Sequence, residues 1–249
     1  DLSYFNESIS TIFLLDINTL LNQLNFSVTD NFNQIIKSIN FVYGAPSIIK
    51  ILISRKFFSF ISKAQSKDIF VGFGGEPFSW ITASTLLNQL TTFSRINNFY
   101  GPTECTCMCS KYDLNKNNFQ TEREFHEKYS SLLPIGKIFP YFSFLLKEKK
   151  ICLNEINRGE LLLGGEAIMN GYLGIKRNPF LEIDKKKFYN TGDIVSTVDG
   201  KLFYIHGRKD NQIKIKGNRI EIEEIENRIR SILEIINLIV IDIEDRGIL

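Results

Sequence analysis

Histidine is nearly absent from this 249-residue chain. Only His126 and His206 occur, neither in a recognisable nucleophile–base arrangement, so the sequence offers no Ser-His-Asp relay. Both are expected in packing or solvent positions. Long apolar runs are also missing: none approaches the roughly 18 residues of a membrane-spanning helix. The first residues, Asp1-Leu2-Ser3-Tyr4-Phe5, lack the basic and apolar regions of a secretory signal. The cytoplasm is the default expectation. Charge of one sign is lacking too, since 30 basic and 28 acidic residues are interspersed and the net charge is +2. That balance argues against a nucleic-acid footprint or a polybasic membrane anchor. Cysteine is scarce. The spacing of Cys105, Cys107 and Cys109 predicts one face of a strand, with Cys152 as a distant fourth. They read as small apolar residues of a reducing compartment rather than a metal cluster. Finally, the chain lacks an initiator methionine and stops at Gly247-Ile248-Leu249, just after an apolar run. This predicts a fragment.

What is present is globular. A hydrophobic content of 43% over this length is enough for a sizeable core, compatible with one large domain or one and a half. Residues 9 to 24, 46 to 65 and 79 to 93 carry apolar residues at helical spacing. In the second of these, Ile48, Ile49, Leu52, Ile53, Phe57 and Phe60 predict a helix packed on a sheet. Phe41-Val42-Tyr43 and Ile69-Phe70-Val71 are short β-rich runs, and the alternation predicts α/β architecture. From Leu133 the texture changes to short strands at Ser143 to Leu146, Glu160 to Leu163, Phe188-Tyr189 and Leu202 to Ile205. Asp199-Gly200 is a hairpin signal, so a β-rich subdomain is expected. After Asp210, Ile213 and Ile215 alternate with lysines. Isoleucines then recur at helical spacing from Glu221 to Ile236, predicting a strand–helix–strand unit.

Five motifs follow one another in order: Tyr100-Gly101-Pro102-Thr103-Glu104; Gly159-Glu160-Leu161 with Gly165 and Gly171-Tyr172; Thr191-Gly192-Asp193; Gly207-Arg208-Lys209-Asp210; and Lys214-Ile215-Lys216-Gly217-Asn218-Arg219-Ile220-Glu221. That string resembles the adenylate-forming (AMP-binding) superfamily, which includes acyl-CoA synthetases, amino-acid adenylation domains of peptide synthetases and D-alanine carrier-protein ligases. The form of the Tyr-Gly-Pro-Thr-Glu motif and of Gly165 to Leu173 is closer to the last two groups. The resemblance implies that residues 1–208 are the latter part of the large α/β domain with its β-rich subdomain. Residues 209–249 would begin a small α+β C-terminal lid. It further implies a Ser/Thr/Gly-rich phosphate loop upstream and a catalytic lysine downstream.

The chemistry implied is ATP-dependent activation of a carboxylic acid as an acyl-adenylate with release of pyrophosphate. The acyl group then passes to a phosphopantetheine thiol, on a carrier protein or on CoA. The alternatives are an acyl-CoA synthetase and a non-catalytic nucleotide-binding remnant. Because the attacking carboxylate is already anionic, such a protein mainly positions reactants and offsets charge. A turn at Gly101-Pro102 suits presentation of Thr103 and Glu104; in the resemblance these are the catalytic pair, with Glu104 the Mg²⁺ ligand. Gly74, Gly75, Glu76, Asn98, Phe99, Tyr100, Gly101, Thr103, Asp193, Tyr204 and Arg208 are the implied ATP contacts, Asp193 accepting from the ribose hydroxyls. Read alone, Thr191-Gly192-Asp193 is a surface turn. Lys209 and Asp210 correspond to the hinge of the lid, and Gly217 to the approach of the thiol arm. Asn6, Glu7, Ser10, Tyr43, Gly72, Gly74, Phe99, Cys107 and Met108 correspond to the acyl pocket. Asn6 stands where amino-acid activators carry Asp, which favours an acid without an α-ammonium, unless Glu7 supplies the charge. The partners implied are a small carboxylic acid and a carrier protein, with no nucleic acid and no membrane span.

Overall fold

The computed structural model describes residues 39–64, 68–91, 94–152, 156–173, 179–210, 212–215, 218–222, 225–226 and 228–229. Two sheets organise them. The first has five strands in the order β1 (Phe41–Gly44), β2 (Phe70–Gly74), β3 (Arg95–Tyr100), β4 (Ser110–Asn115) and β5 (Lys137–Ile138). β1, β2 and β3 run parallel, while β4 and β5 add in antiparallel sense. Parallel neighbours need crossover connections, and these are supplied by α1 (Pro46–Ser54), α2 (Phe57–Ala64) and α3 (Trp80–Gln89).

The local sequence accounts for these helices. Pro46 sits in the first turn of α1, where its fixed φ suits a helix start and its missing N–H costs nothing. Ser79 caps α3, its hydroxyl accepting from Thr82 N at 3.1 Å, a cap typically worth about 1 kcal/mol. One face of the sheet carries Val71, Phe73, Ile96 and Leu114. These pack with Ile49, Leu52, Phe58, Trp80 and Leu86 of the helices into a continuous core. The expected helix over 46 to 65 is in fact two, broken where Lys56 adopts φ 55°. The apolar spacing continues across the break, so periodicity alone did not reveal it.

The second sheet is antiparallel: β6 (Phe142–Cys152), β7 (Ile156–Gly165), β9 (Lys186–Thr197) and β10 (Phe203–Arg208) in the order β10-β9-β7-β6. β8 (Phe180–Ile183) also pairs with β9. Its core joins Leu161, Leu163, Tyr189, Val195 and Phe203 to Cys105, Cys109 and Ile135 from the first sheet's loops. Bridges at Ser79–Leu132 and Gly136–Phe203 also tie loops into both parts. β11 (Gln212–Ile215) and β12 (Asn218–Glu221) form a separate hairpin. The strands expected at 143, 160, 188 and 202 are all present and longer than the apolar runs suggested. β4 and the helix α4 (Phe119–His126) were not anticipated. Among the described residues no helix is long and apolar enough to cross a membrane.

The cysteines depart from expectation. Cys105 ends a 3₁₀ turn, Thr103–Cys105, and Cys107 lies in a loop rather than a strand. Thr106 (φ 55°) and Cys107 (φ 77°) are both left-handed, which coils the segment and breaks strand alternation.

Candidate functional site

In open α/β sheets the crevice beyond the carboxyl ends of parallel strands is the usual place for a ligand. Two of the motif loops lie there. Gly74-Gly75-Glu76 leaves β2 and Tyr100-Gly101-Pro102-Thr103-Glu104 leaves β3, with Gly74 directly opposite Phe99 in register. The approach is close: a Cβ on Gly74 would stand 2.5 Å from the Phe99 carbonyl oxygen. A Cβ on Gly101 would collide with the Cys107 carbonyl. The loop is closed by Cys109 N donating to Tyr100 O at 2.7 Å and by Cys105 N donating to Pro102 O at 3.0 Å. Glycine is thus required at 101 for the turn to fold back. Glu76 is fixed at the start of α1, where it accepts from Ser47 N at 2.8 Å and from Ser47 Oγ at 3.2 Å. A carboxylate is favoured at a helix N-terminus.

The third and fourth motifs meet the first. Thr191-Gly192-Asp193 is no surface turn: it lies inside β9, and Asp193 is only 7% exposed. Arg208, at the end of β10, is its cross-strand partner across a bulge. The 15-residue spacing between the motifs is therefore one hairpin brought back on itself. Arg208 Nη1 donates to Asp193 Oδ1 at 2.9 Å, and the Tyr100 hydroxyl donates to Asp193 Oδ2 at 2.5 Å. Arg208 also grips Asp210 through Nε (2.6 Å) and Nη2 (2.9 Å). Gly192 (φ 76°) makes room, since a Cβ there would stand 2.6 Å from Arg208 Nη2. Lys209 N donates to Gly192 O at 2.7 Å, which fastens the chain beside it. Thr191 Oγ1 donates to Leu161 O at 2.8 Å and accepts from Asp193 N at 3.0 Å.

The electrostatics follow from this geometry. Burial, and then the Asp193 charge, push the Tyr100 phenol well above its ordinary pKa, so it remains a proton donor. Burial pulls the Arg208 guanidinium down, but the Asp210 and Asp193 carboxylates outweigh it and leave its pKa raised.

Glu104 is 3% exposed. The Tyr172 hydroxyl donates to its Oε1, and its main-chain oxygen accepts from Met169 N at 2.9 Å. Tyr43, Gly72 and Phe99 come together. The Tyr43 and Phe99 ring centroids are 6.1 Å apart, and a Cβ on Gly72 would meet both rings, at 2.8 and 3.1 Å. Burial, and then the nearby Cys107, raise the Tyr43 pKa. Met108 is in the adjoining loop, its N donating to Thr106 O at 2.9 Å. Asn6, Glu7, Ser10 and Gly217, and the helix expected over residues 9 to 24, lie outside the described residues.

Two expected nucleotide contacts are placed elsewhere. Tyr204 is 2% exposed, and its hydroxyl is 2.5 Å from His126 Nδ1. It lies opposite Ser196 in register, on the face where Ser196 Oγ meets His206 Nε2 at 2.6 Å. Ile205 lies opposite Val195, on the face that β alternation gives to Asp193. The bulge after Ile205 hides this parity from a residue count. Asn98 is buried with its Nδ2 on Pro134 O at 2.9 Å, a structural bond. Tyr172 was not anticipated as a site residue, although its position in the Gly171-Tyr172 motif was the available signal.

The family model described as AMP-binding enzyme matches residues 24–173. Among curated relatives, a D-alanine–D-alanyl carrier protein ligase of Bacillus velezensis is 33% identical over 179 residues, which is 70% of this chain and 34% of that protein. An L-allo-isoleucine:holo-[CmaA peptidyl-carrier protein] ligase of Pseudomonas savastanoi pv. glycinea is 36% identical over 158 residues, 62% of this chain and 25% of that protein. The chain spans about a third or less of the length of these relatives. Among solved structures, the Vibrio cholerae adenylation domain AlmE in complex with glycyl-adenosine-5'-phosphate superposes with a TM-score of 0.67 at 24% identity. It covers 89% of this chain and 40% of that one. The fold is that of an adenylation domain.

Proposed function

The chain belongs to the AMP-binding enzyme family, and from that premise we propose that its protein activates a small carboxylic acid with ATP and passes it to a carrier-protein thiol. In the first step a substrate carboxylate oxygen attacks the α-phosphorus; an acyl–phosphate bond forms and the bond to pyrophosphate breaks. In the second, the phosphopantetheine thiol attacks the acyl carbon and AMP leaves with the bonding pair. The observation that carries this reading is the convergence of Tyr100, Asp193 and Arg208, from three separate motifs, on one carboxylate. Tyr100 and Arg208 fix the orientation of the Asp193 carboxylate, and a carboxylate accepts only, which suits it to the ribose hydroxyls in this reading. The adenine lies against Tyr100 and the Gly74-Gly75-Glu76 backbone, and Thr103 faces the phosphates. Tyr43, Gly72, Phe99, Cys107 and Met108 line the acyl side, and the rings closed over Gly72 favour a small acyl group.

Magnesium fits the donors present. Glu104 offers hard carboxylate oxygen, and among the described residues no group of three or more His, Cys, Asp or Glu could hold a metal by itself. That suits a cation held by one protein carboxylate together with phosphates and water. Bound there, Mg²⁺ offsets charge on the phosphates as pyrophosphate leaves.

Residues 1–208 form part of the large domain in this reading. Residues from 209 begin the lid, which turns about Lys209 and Asp210. The test is acid-dependent exchange of labelled pyrophosphate into ATP by the full-length protein with a panel of amino, hydroxy and aryl acids. Glu104→Gln is expected to reduce exchange on the order of a hundredfold. Nucleotide binding without exchange for any acid would overturn the reading in favour of a non-catalytic nucleotide-binding protein.

A further inference from the structure

The segment from Glu166 to Leu173 leaves the end of β7 and is fastened along its length. Ile168 is buried in the second core beside Cys105 and Cys109. Thr106 Oγ1 donates to Ala167 O at 2.7 Å, and Met169 N donates to Glu104 O at 2.9 Å. From β9, Lys187 Nζ donates to Met169 O at 2.8 Å and to Asn170 O at 2.7 Å. The backbone is thus held on both sides by bonds that do not involve Tyr172. The Tyr172 ring is 37% exposed and Leu173 beside it is fully exposed, so packing does not bury this side chain. Its hydroxyl nevertheless reaches the Glu104 carboxylate, which is 3% exposed.

A carboxylate accepts only, and a hydroxyl bonded to one oxygen fixes both the rotamer and the direction of the other. Partners that orient a metal-binding side chain in this way typically change metal affinity by about 10- to 100-fold when removed. We propose that Tyr172 is a positioning residue: it holds Glu104 in the orientation that receives the divalent cation accompanying the nucleotide. The tether puts Tyr172 there, so the segment from Glu166 to Leu173 belongs to the phosphate side of the site. This inference rests on the reading of Glu104 as the cation-binding carboxylate.

The experiment compares wild type, Tyr172→Phe, Tyr172→Ala and Glu104→Gln in the full-length protein. Enzyme-bound Mn²⁺ is read by electron paramagnetic resonance with a non-hydrolysable ATP analogue, alongside the Mg²⁺ dependence of pyrophosphate exchange. Tyr172→Phe keeps the ring and removes the oxygen. It is expected to weaken Mn²⁺ binding about tenfold and to raise the Mg²⁺ requirement similarly, with recovery at high Mg²⁺ and an unchanged KM for the acid. Recovery separates positioning from a folding defect, which added Mg²⁺ does not repair. Wild-type Mn²⁺ affinity in Tyr172→Phe with loss in Glu104→Gln overturns the role of Tyr172 and leaves Glu104 standing. Weakening in Tyr172→Ala alone overturns it too, by assigning the effect to the ring. Wild-type affinity in Glu104→Gln removes the underlying reading, and the inference with it.

Discussion

Two polar clusters join the two sheets, and they are built on one plan. In the first, the Asp193 carboxylate lies between the Tyr100 hydroxyl at 2.5 Å and an Arg208 nitrogen at 2.9 Å. In the second, the Glu122 carboxylate of α4 lies between the Tyr112 hydroxyl at 2.7 Å and His126 Nε2 at 2.9 Å, and His126 continues to Tyr204. Each has a tyrosine from the first sheet, an acid and a nitrogen base. The difference is the base. Arginine is charged at every accessible pH, so the first cluster is a permanent ion pair beside the proposed ribose position. His126 is stacked on Trp80, and burial lowers its pKa against the opposing pull of Glu122. The second cluster is therefore a hydrogen-bonded seam between α4 and β10 in which the imidazole adds no permanent charge. The comparison teaches that exposure does not separate the two acids, since the Glu122 side chain is the more exposed, at 31% against 9% for Asp193; the charge of the nitrogen partner does.

The comparison can be broken most severely at Arg208. Arg208→Ala strands two carboxylates, one of them buried, and is expected to cost about 3–5 kcal/mol of stability by denaturant titration. A loss below 1 kcal/mol would mean that the pair is solvated in solution. Asp193→Asn keeps the shape and removes the charge. Each charge-assisted bond lost is worth about 1.5–3 kcal/mol, so ATP affinity by calorimetry should fall at least tenfold. A change within twofold removes Asp193 from the ribose.

Next comes Tyr204→Phe, which leaves His126 Nδ1 buried without its partner at a cost of about 1–3 kcal/mol. ATP affinity should not change, and a parallel loss of affinity would return Tyr204 to the nucleotide. The smallest effect is pH dependence. His126 has a lowered folded pKa against about 6.5 unfolded, so the unfolded chain binds the extra proton first. Its contribution is fully present above pH 6.5 and is lost as pH falls through the folded value. Burial and Lys128 lower that value and Glu122 raises it, while Tyr112 and Tyr204 also face the ring. Burial lowers the His206 pKa as well, so the His126 share is read as the difference from His126→Gln. Identical pH profiles would remove the titrating seam.

The sequence was most legible where function constrains backbone. The tight turn at Gly101, the register of Gly74 against Phe99, and the Asp193–Arg208 hairpin leave fixed residue types at fixed spacing. Three of the ordered motifs meet at Asp193 in the fold. Strand existence was legible from β-rich runs, whereas strand length was not. The buried Thr191-Gly192-Asp193 step interrupts the apolar pattern of β9 and resembles a turn. Three failures have one physical origin, a local departure from regular φ/ψ that composition does not signal. Lys56 breaks a helix, Thr106 and Cys107 coil an expected strand, and the bulge after Ile205 reverses the parity of Tyr204. Tyr172 escaped for another reason: its partner lies 68 residues away, and only tertiary structure pairs them.

Lys209 gives the tether beyond Arg208 a second character. Its main chain is bound to Gly192, while its ammonium spans Glu148, a 62% exposed carboxylate, at 2.8 Å and Glu160, 4% exposed, at 3.4 Å. Dissolved electrolyte competes at the outer, exposed contact and far less at the Arg208–Asp193 pair, because salt weakens exposed ion pairs and screens buried ones much less. The segment leading into β11 is thus held by one fastening indifferent to salt and another that salt loosens. Ionic strength thereby acts on the outer Lys209–Glu148 contact, independently of the grip on Asp193.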